Sequence, residues 1–293
     1  MELISFALIA VIILLYSFQT LFCTLYTKRY PGRDDLASPV FCILEAAFIV
    51  AVTWARNGFR FQPSPLTLLF GALNALVLWG YNSSLMAAGK RGSYAFFNMT
   101  LLYGAILVPM VYSGLFLHEG TTPLQWVGVG LMLISFLLMN WEGKSAQRPQ
   151  KGYYLFCALL FLCNGLYSVF LKRQSLASEG ESSEMVMLTF GLMGAVALLQ
   201  LIAKEKGATL RAFRQNAQSL PPLIACLLSA ALAINGLVYI LPRVNTVVLY
   251  TMENGGVLLL STLYAVMLFH EKLLPRKAAG VLIAVVSITL LSL

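Results

Sequence analysis

Charge is what this chain has least of. Only 11% of its 293 residues are charged, 59% are hydrophobic, and the mean hydropathy is +0.80. A soluble domain carries about 25% charged residues. This chain lacks the polar surface that water requires, so a soluble enzyme is not expected. Aspartate is nearly absent: Asp34 and Asp35 are adjacent and fall in a connection between apolar runs, so no paired-aspartate protease dyad is available. Histidine occurs twice, in His118-Glu119 and His270-Glu271, and neither copy has the second histidine of an HExxH zinc site. Cys23, Cys42, Cys157, Cys163 and Cys226 all sit in apolar runs and form no CxxC pair, which points to neither a disulfide framework nor a zinc cluster. No nucleotide-binding loop is present. The chain is therefore not expected to be an enzyme, with no catalytic residue, metal or cofactor. The net charge of +8 is spread over the ends of apolar runs rather than gathered on one face, so nucleic acid is not an expected partner.

What fills the chain is long apolar stretches. A membrane span needs roughly 20 apolar residues. Ten such runs are visible, at 3–25, 38–56, 66–89, 94–117, 123–141, 152–172, 184–203, 219–241, 246–269 and 275–293. They are separated by Pro and Gly punctuation such as Pro31-Gly32, Pro63, Pro123 and Pro221-Pro222. All are expected to be helices, because a helix satisfies its own backbone in lipid. The first run has no basic residues before it and no small-residue cleavage site, so it is expected to be a span rather than a signal peptide. The expectation is a multi-pass protein of the cell (plasma or inner) membrane, with the lipid bilayer as a partner.

Lys and Arg set the orientation. The odd-numbered connections hold 15 of them and the even ones 5, among them Lys172 and Arg173 after span six. That places the odd connections in the cytoplasm and both termini outside.

The chain also repeats. Shifted by 152 residues, it matches itself without a gap from 91 to 138. Arg91 falls on Arg243, Gly104 on Gly256, His118-Glu119 on His270-Glu271, Pro123 on Pro275, Gly128 on Gly280 and Ser135 on Ser287. Lys28-Arg29 similarly resembles Lys172-Arg173. Two five-helix repeats follow, at 1–145 and 146–293. Five is odd, so the second repeat enters the membrane opposite to the first. Inverted repeats are a common plan of secondary transporters, in which two halves rock about a central site.

The stretches from Ala88-Gly89-Lys90 to Leu138 and from Leu241-Pro242-Arg243 to Leu290 carry a recurring pattern. A helix ends in Phe-Leu-His-Glu or Leu-Phe-His-Glu, and after a short link Pro-x4-Gly opens the last helix of the half. In this the chain resembles an EamA-like member of the drug/metabolite transporter superfamily. The resemblance covers both halves. It implies an all-α membrane protein with ten transmembrane helices, two inverted five-helix repeats and a central cavity. It also implies transport of amino acids, other metabolites, sugars or drugs. Many relatives have Glu-Pro in the fourth helix of a half, where this chain reads Glu253-Asn254 and Leu101-Leu102. Ten-helix relatives are usually drawn with cytoplasmic termini, opposite to the charge count.

Polar residues inside spans should face another helix or a watery cavity. Tyr16 and Gln19 share one face of span one with Thr20, Cys23 and Thr24. Trp79 and Asn82 lie in span three, Asn98 and Tyr103 in span four, Asn164 and Tyr167 in span six, Asn235 in span eight, and Tyr250, Glu253 and Asn254 in span nine. Helices one, three, four, six, eight and nine are expected to wall a cavity that binds a small-molecule substrate through these residues. Helices five and ten, almost without polar side chains, should face lipid or a partner. For any single Asn or Ser, interhelical hydrogen bonding at about 0.6 kcal/mol is an equally good reading. Glu253 is placed to bind an ammonium or to couple transport to protons. Glu45, with no strongly polar neighbour on its own face, reads as a protonated or locally paired structural group rather than a coupling one. The expected function is a secondary transporter of small organic metabolites; the alternative is a lipid flippase or a non-transporting membrane partner. Gly128 and Gly280 permit close packing of spans five and ten, and no oligomeric state follows.

Overall fold

The computed structural model describes residues 3–29, 34–89, 91, 94–120, 122–139, 150–178, 180–205, 220–269 and 274–292. Among them the chain is all-helical. The first-half helices are α1 (Leu3–Arg29), α2 (Asp34–Arg56), α3 (Pro65–Gly89), α4 (Tyr94–Tyr112) and α5 (Pro123–Met139). The second-half helices are α6 (Tyr153–Ala177), α7 (Ser182–Glu205), α8 (Leu220–Ile240), α9 (Thr246–Phe269) and α10 (Pro275–Ser292). Proline begins α3, α5 and α10, where its missing N–H has no intrahelical partner to lose.

Seven helices are long and apolar enough to cross a membrane: α1, α2, α3, α4 with its extension, α6, α7 and α8. Helix α5 is apolar but shorter. Large apolar side chains point outward along the helices, with Leu76 61% and Leu282 68% exposed. Facing water, that surface would be unfavourable; facing lipid tails, it is matched.

Helix α4 does not end cleanly. Pro109 has no N–H to give to the turn behind it. After Tyr112 the helix widens into a π-helical stretch, Ser113–Leu117. His118 then stops it in the left-handed conformation at φ 50°.

The strongest packing runs between the halves. Helix α5 packs on α10, α1 on α8, α2 on α7, α3 on α6 and α7, and α4 on α6. The α1–α9, α2–α8 and α4–α9 pairs follow. Segments 1–145 and 146–293 therefore interdigitate. Exchanging each helix for the one five further along turns this set of principal pairs into itself.

Side chains repeat the exchange. Ser135 Oγ donates to the Gly280 carbonyl at 2.7 Å, and Ser287 Oγ donates to the Gly128 carbonyl at 2.6 Å. A Cβ at Gly128 would stand 3.2 Å from the Ser287 carbonyl, and one at Gly280 would stand 3.2 Å from the Ser135 carbonyl. Only glycine lets α5 and α10 approach this closely. Gly104 lies against the backbone of Phe161 on α6, and its repeat mate Gly256 lies against Ile13 on α1.

Candidate functional site

The central polar layer is assembled from both halves. Helix α1 supplies Tyr16 and Gln19, α2 supplies Glu45, α6 supplies Tyr167 and α9 supplies Glu253. Tyr16 is within Coulombic reach of Glu253, Tyr167, Tyr250 and Glu45. Tyr167 reaches Glu45, Glu253 and Tyr81. Both carboxylates therefore lie near the same pair of tyrosines.

Glu45 is buried at 7% exposure, midway along α2. Gln19 Nε2 donates to its Oε1 at 3.5 Å, the outer limit of a hydrogen bond. Cys23 of α1 and Cys226 of α8 lie near it, and the Cys226 thiol reaches the Gln19 carbonyl at 3.4 Å. Glu45 therefore has polar company on neighbouring helices, which the pattern of its own face did not show. Helix α2 joins the polar layer from which the sequence pattern left it out.

The remaining expected site residues divide by what their polar atoms do. Tyr103 gives its hydroxyl to the Leu133 carbonyl of α5 at 2.8 Å and stacks on Phe136. Asn164 donates to the Leu101 carbonyl of α4 at 2.9 Å. Tyr250 donates to the Ser168 carbonyl at 3.1 Å. Asn254 donates to the Tyr250 carbonyl of its own helix at 2.8 Å. Asn235 donates to Thr53 Oγ1 at 3.0 Å and to the Ala231 carbonyl at 2.8 Å, and its buried Oδ1 has no partner among the described residues. Asn82 donates to the Met193 sulfur at 3.4 Å. Among the described residues the buried Trp79 indole N–H has no acceptor. The Asn98 side chain lies outside the described residues, as do Lys90, His270 and Glu271.

A second constellation ties the halves together at one end of the bundle. Lys172 is 2% exposed and sits inside α6. This corrects its expected place in a connection as an interfacial cation. Its ammonium donates to the carbonyls of Leu241 and Val244, both at 2.9 Å, and lies 3.1 Å from Glu119 Oε1. Its three protons thus have three acceptors. Glu119 in turn accepts from the Thr246 N–H at 2.7 Å, the Thr246 hydroxyl at 3.0 Å and Ser113 at 2.9 Å. The ammonium sits at the C-terminal end of α8 and the carboxylate at the N-terminal end of α9, the sign each helix dipole favours. Burial alone would raise the Glu119 pKa. The Thr246 N–H and the Lys172 charge more than offset it and hold the carboxyl below its ordinary value.

A second carboxylate works in the opposite sense across the halves. Glu181 Oε2 accepts from the Thr67 hydroxyl at 2.5 Å, the Ser64 N–H at 2.9 Å and the Ser64 hydroxyl at 2.8 Å, at the start of α3. These bonds, led by that of Thr67, hold its pKa below the ordinary carboxylate value. Arg56 reaches Ser183 at 2.8 Å and Asn57 reaches Glu184 at 2.9 Å beside it. Arg91 and Arg243 behave as helix-end anchors. Arg91 bonds the Ala87 carbonyl at 2.9 Å and lies 4.7 Å over Phe156, while Arg243 bonds the Tyr239 carbonyl and lies 4.2 Å over its ring.

No family model and no curated protein matches the chain. Solved structures do. One, described only as the crystal structure of a protein, superposes with a TM-score of 0.70. The match covers 99% of this chain and 96% of that one, at 18% identity. At that identity the likeness is one of fold.

Proposed function

We propose that the protein is a secondary transporter that moves small organic metabolites across a cell membrane by alternating access. In this reading all ten described helices span, as two inverted five-helix repeats around a central cavity. The observation that carries the reading is the reciprocal contact of Ser135 with Gly280 and Ser287 with Gly128. Residues related by the sequence repeat exchange the same contact across one seam, as they do in an isologous interface. A two-fold relation between repeats with an odd helix count turns one half over in the membrane. Each half then offers the same structure to opposite sides, which is the basis of alternating access. The polar layer between the halves, with one carboxylate from each, is where a solute would sit. The EamA-like pattern of both halves supports the same conclusion.

The test is flux. The purified chain is reconstituted into liposomes and offered labelled amino acids, amines and sugars. Saturable uptake that accelerates when unlabelled solute is loaded inside is expected for at least one class. Absence of uptake across the panel, with fluorescent lipid crossing the bilayer instead, would overturn the proposal in favour of a flippase.

A further inference from the structure

Helices α1 and α8, one from each half, form one of the principal seams of the bundle. A Cβ at Gly236 would stand 3.1 Å from Ile12 Cγ1, and the Cys226 thiol donates to the Gln19 carbonyl at 3.4 Å. Contacts move back along α8 as they move forward along α1, so the two helices are antiparallel. Ten residues back from Gly236 is Cys226, and eleven forward from Ile12 is Cys23. One turn beyond, Tyr26 clusters with Leu223 and Leu227. The register therefore sets Cys23 level with Cys226. A helical side chain leans towards the N-terminus, over the preceding turn. The Cys23 thiol thus overhangs the Gln19 carbonyl, the same group that Cys226 touches. The two thiols also share a hydrogen bond. A disulfide needs Cα atoms about 4.4–6.8 Å apart, and the glycine at 236 is what lets α8 come close against α1.

Cys23 is six residues from the end of α1 and Cys226 six from the start of α8, so each lies about 9 Å inside its helix. Both are unoxidised thiols; Cys226 is 0% exposed and Cys23 is partly exposed. Of the other thiols, Cys42 on α2 is buried and bonded to Ser38, and Cys157 and Cys163 lie on α6. A partly open thiol beside an enclosed one suits stepwise oxidation, the first meeting the oxidant and the second resolving it. We propose that Cys23 and Cys226 are a redox-sensitive pair that closes to a disulfide between the two halves when a peroxide reaches Cys23. A small uncharged oxidant enters an apolar bundle where a charged disulfide does not. The Cys23 sulfur attacks one peroxide oxygen. The O–O bond breaks, a sulfenic acid forms, and the departing hydroxyl takes the thiol proton as water. The Cys226 sulfur then attacks the sulfenic sulfur. The S–S bond forms, the S–O bond breaks, and the hydroxyl leaves with the Cys226 proton as a second water. Two thiols are oxidised and one peroxide is reduced. The link joins the halves near the opposite end of α8 from the Lys172–Glu119 pair. The inference goes beyond the transporter reading and does not depend on it.

The experiment uses the full chain in detergent. It is treated with hydrogen peroxide, unfolded, alkylated with iodoacetamide, digested and mapped by mass spectrometry. Met267, 62% exposed, is the internal check, because its sulfoxide shows that peroxide has acted. In most chains the Cys23 peptide should be joined to the Cys226 peptide, two hydrogens lighter than their sum. The joined chain should run as a monomer on a non-reducing gel, and dithiothreitol should undo the link. Cys157 and Cys163 should remain open to alkylation. Cys226→Ser should halt at the Cys23 sulfenic acid, which dimedone traps, and Cys23→Ser should leave Cys226 a thiol. Oxidised Met267 without the Cys23–Cys226 link would overturn the assignment. So would Cys42 as the main partner of either thiol, or a link confined to dimers. Should a serine variant fail to fold, the mass map of the unsubstituted chain decides alone.

Discussion

Lys172 and Glu119 meet at 3.1 Å, one from each half of the chain, and each also engages helix ends belonging to the second half. The pair is both an ion pair and a splice between α8 and α9. Separating the halves at this end means breaking it.

Removing one partner should therefore cost more than removing both. Lys172→Met leaves Glu119 without its counter-charge and should destabilise the protein by roughly 2–4 kcal/mol, discounted because Glu119 is 18% exposed. The double variant with Glu119→Gln should recover part of that loss. Thermal unfolding in detergent measures both, and a double variant less stable than Lys172→Met alone would contradict the pairing.

The pH response has a defined sign. Glu119 and Glu181 have lowered pKa values in the folded chain. Their contribution is complete above the unfolded carboxylate value, about 4.3, and is lost as pH falls through the folded values below it. Unfolding temperature should be insensitive to these two groups from pH 7 to 5 and should drop below about pH 4. Glu119→Gln should flatten that acid limb, which a melting series across pH would register.

Tyrosines of the two kinds should part company. Tyr103→Phe removes a hydroxyl bonded to the Leu133 carbonyl and should cost about 1 kcal/mol of stability without changing ligand affinity. Tyr16→Phe and Tyr167→Phe should alter solute affinity more than stability. Ligand titration beside unfolding measurements distinguishes them; an affinity loss in Tyr103→Phe equal to that in Tyr16→Phe would erase the division.

The seam between α5 and α10 should respond symmetrically. Ser135→Ala and Ser287→Ala should each cost about 0.6 kcal/mol, the typical value for a hydrogen bond between membrane helices. Leucine at Gly128 or Gly280 should be far worse, because Leu291 and Met139 already fill the space a Cβ would enter. Melting temperatures of the four variants would expose any inequality between the halves.

Much of the helix pattern was readable because apolar runs, prolines and glycines mark helices without reference to anything distant. The repeat was readable for the same reason: Gly128, Ser135, Gly280 and Ser287 keep their spacing whatever they touch. The partners were not. A lysine closing an apolar run looks like an interfacial anchor, and Lys172 differs from one only through acceptors contributed by Glu119, Leu241 and Val244. Glu45 looked isolated because, apart from Cys42 on its own helix, its neighbours come from α1, α6 and α8. Tyr103, Asn164 and Tyr250 shared the composition of a binding site, yet their donors end on backbone carbonyls. Backbone acceptors leave no trace in residue identity.

The Ser135–Gly280 and Ser287–Gly128 contacts have an ancestral consequence. Either half, taken as a separate chain, carries both the serine donor and the glycine acceptor. Such a half-length chain could join a second copy of itself through this seam with no new residue, so gene duplication and fusion would have inherited a working interface instead of having to invent one.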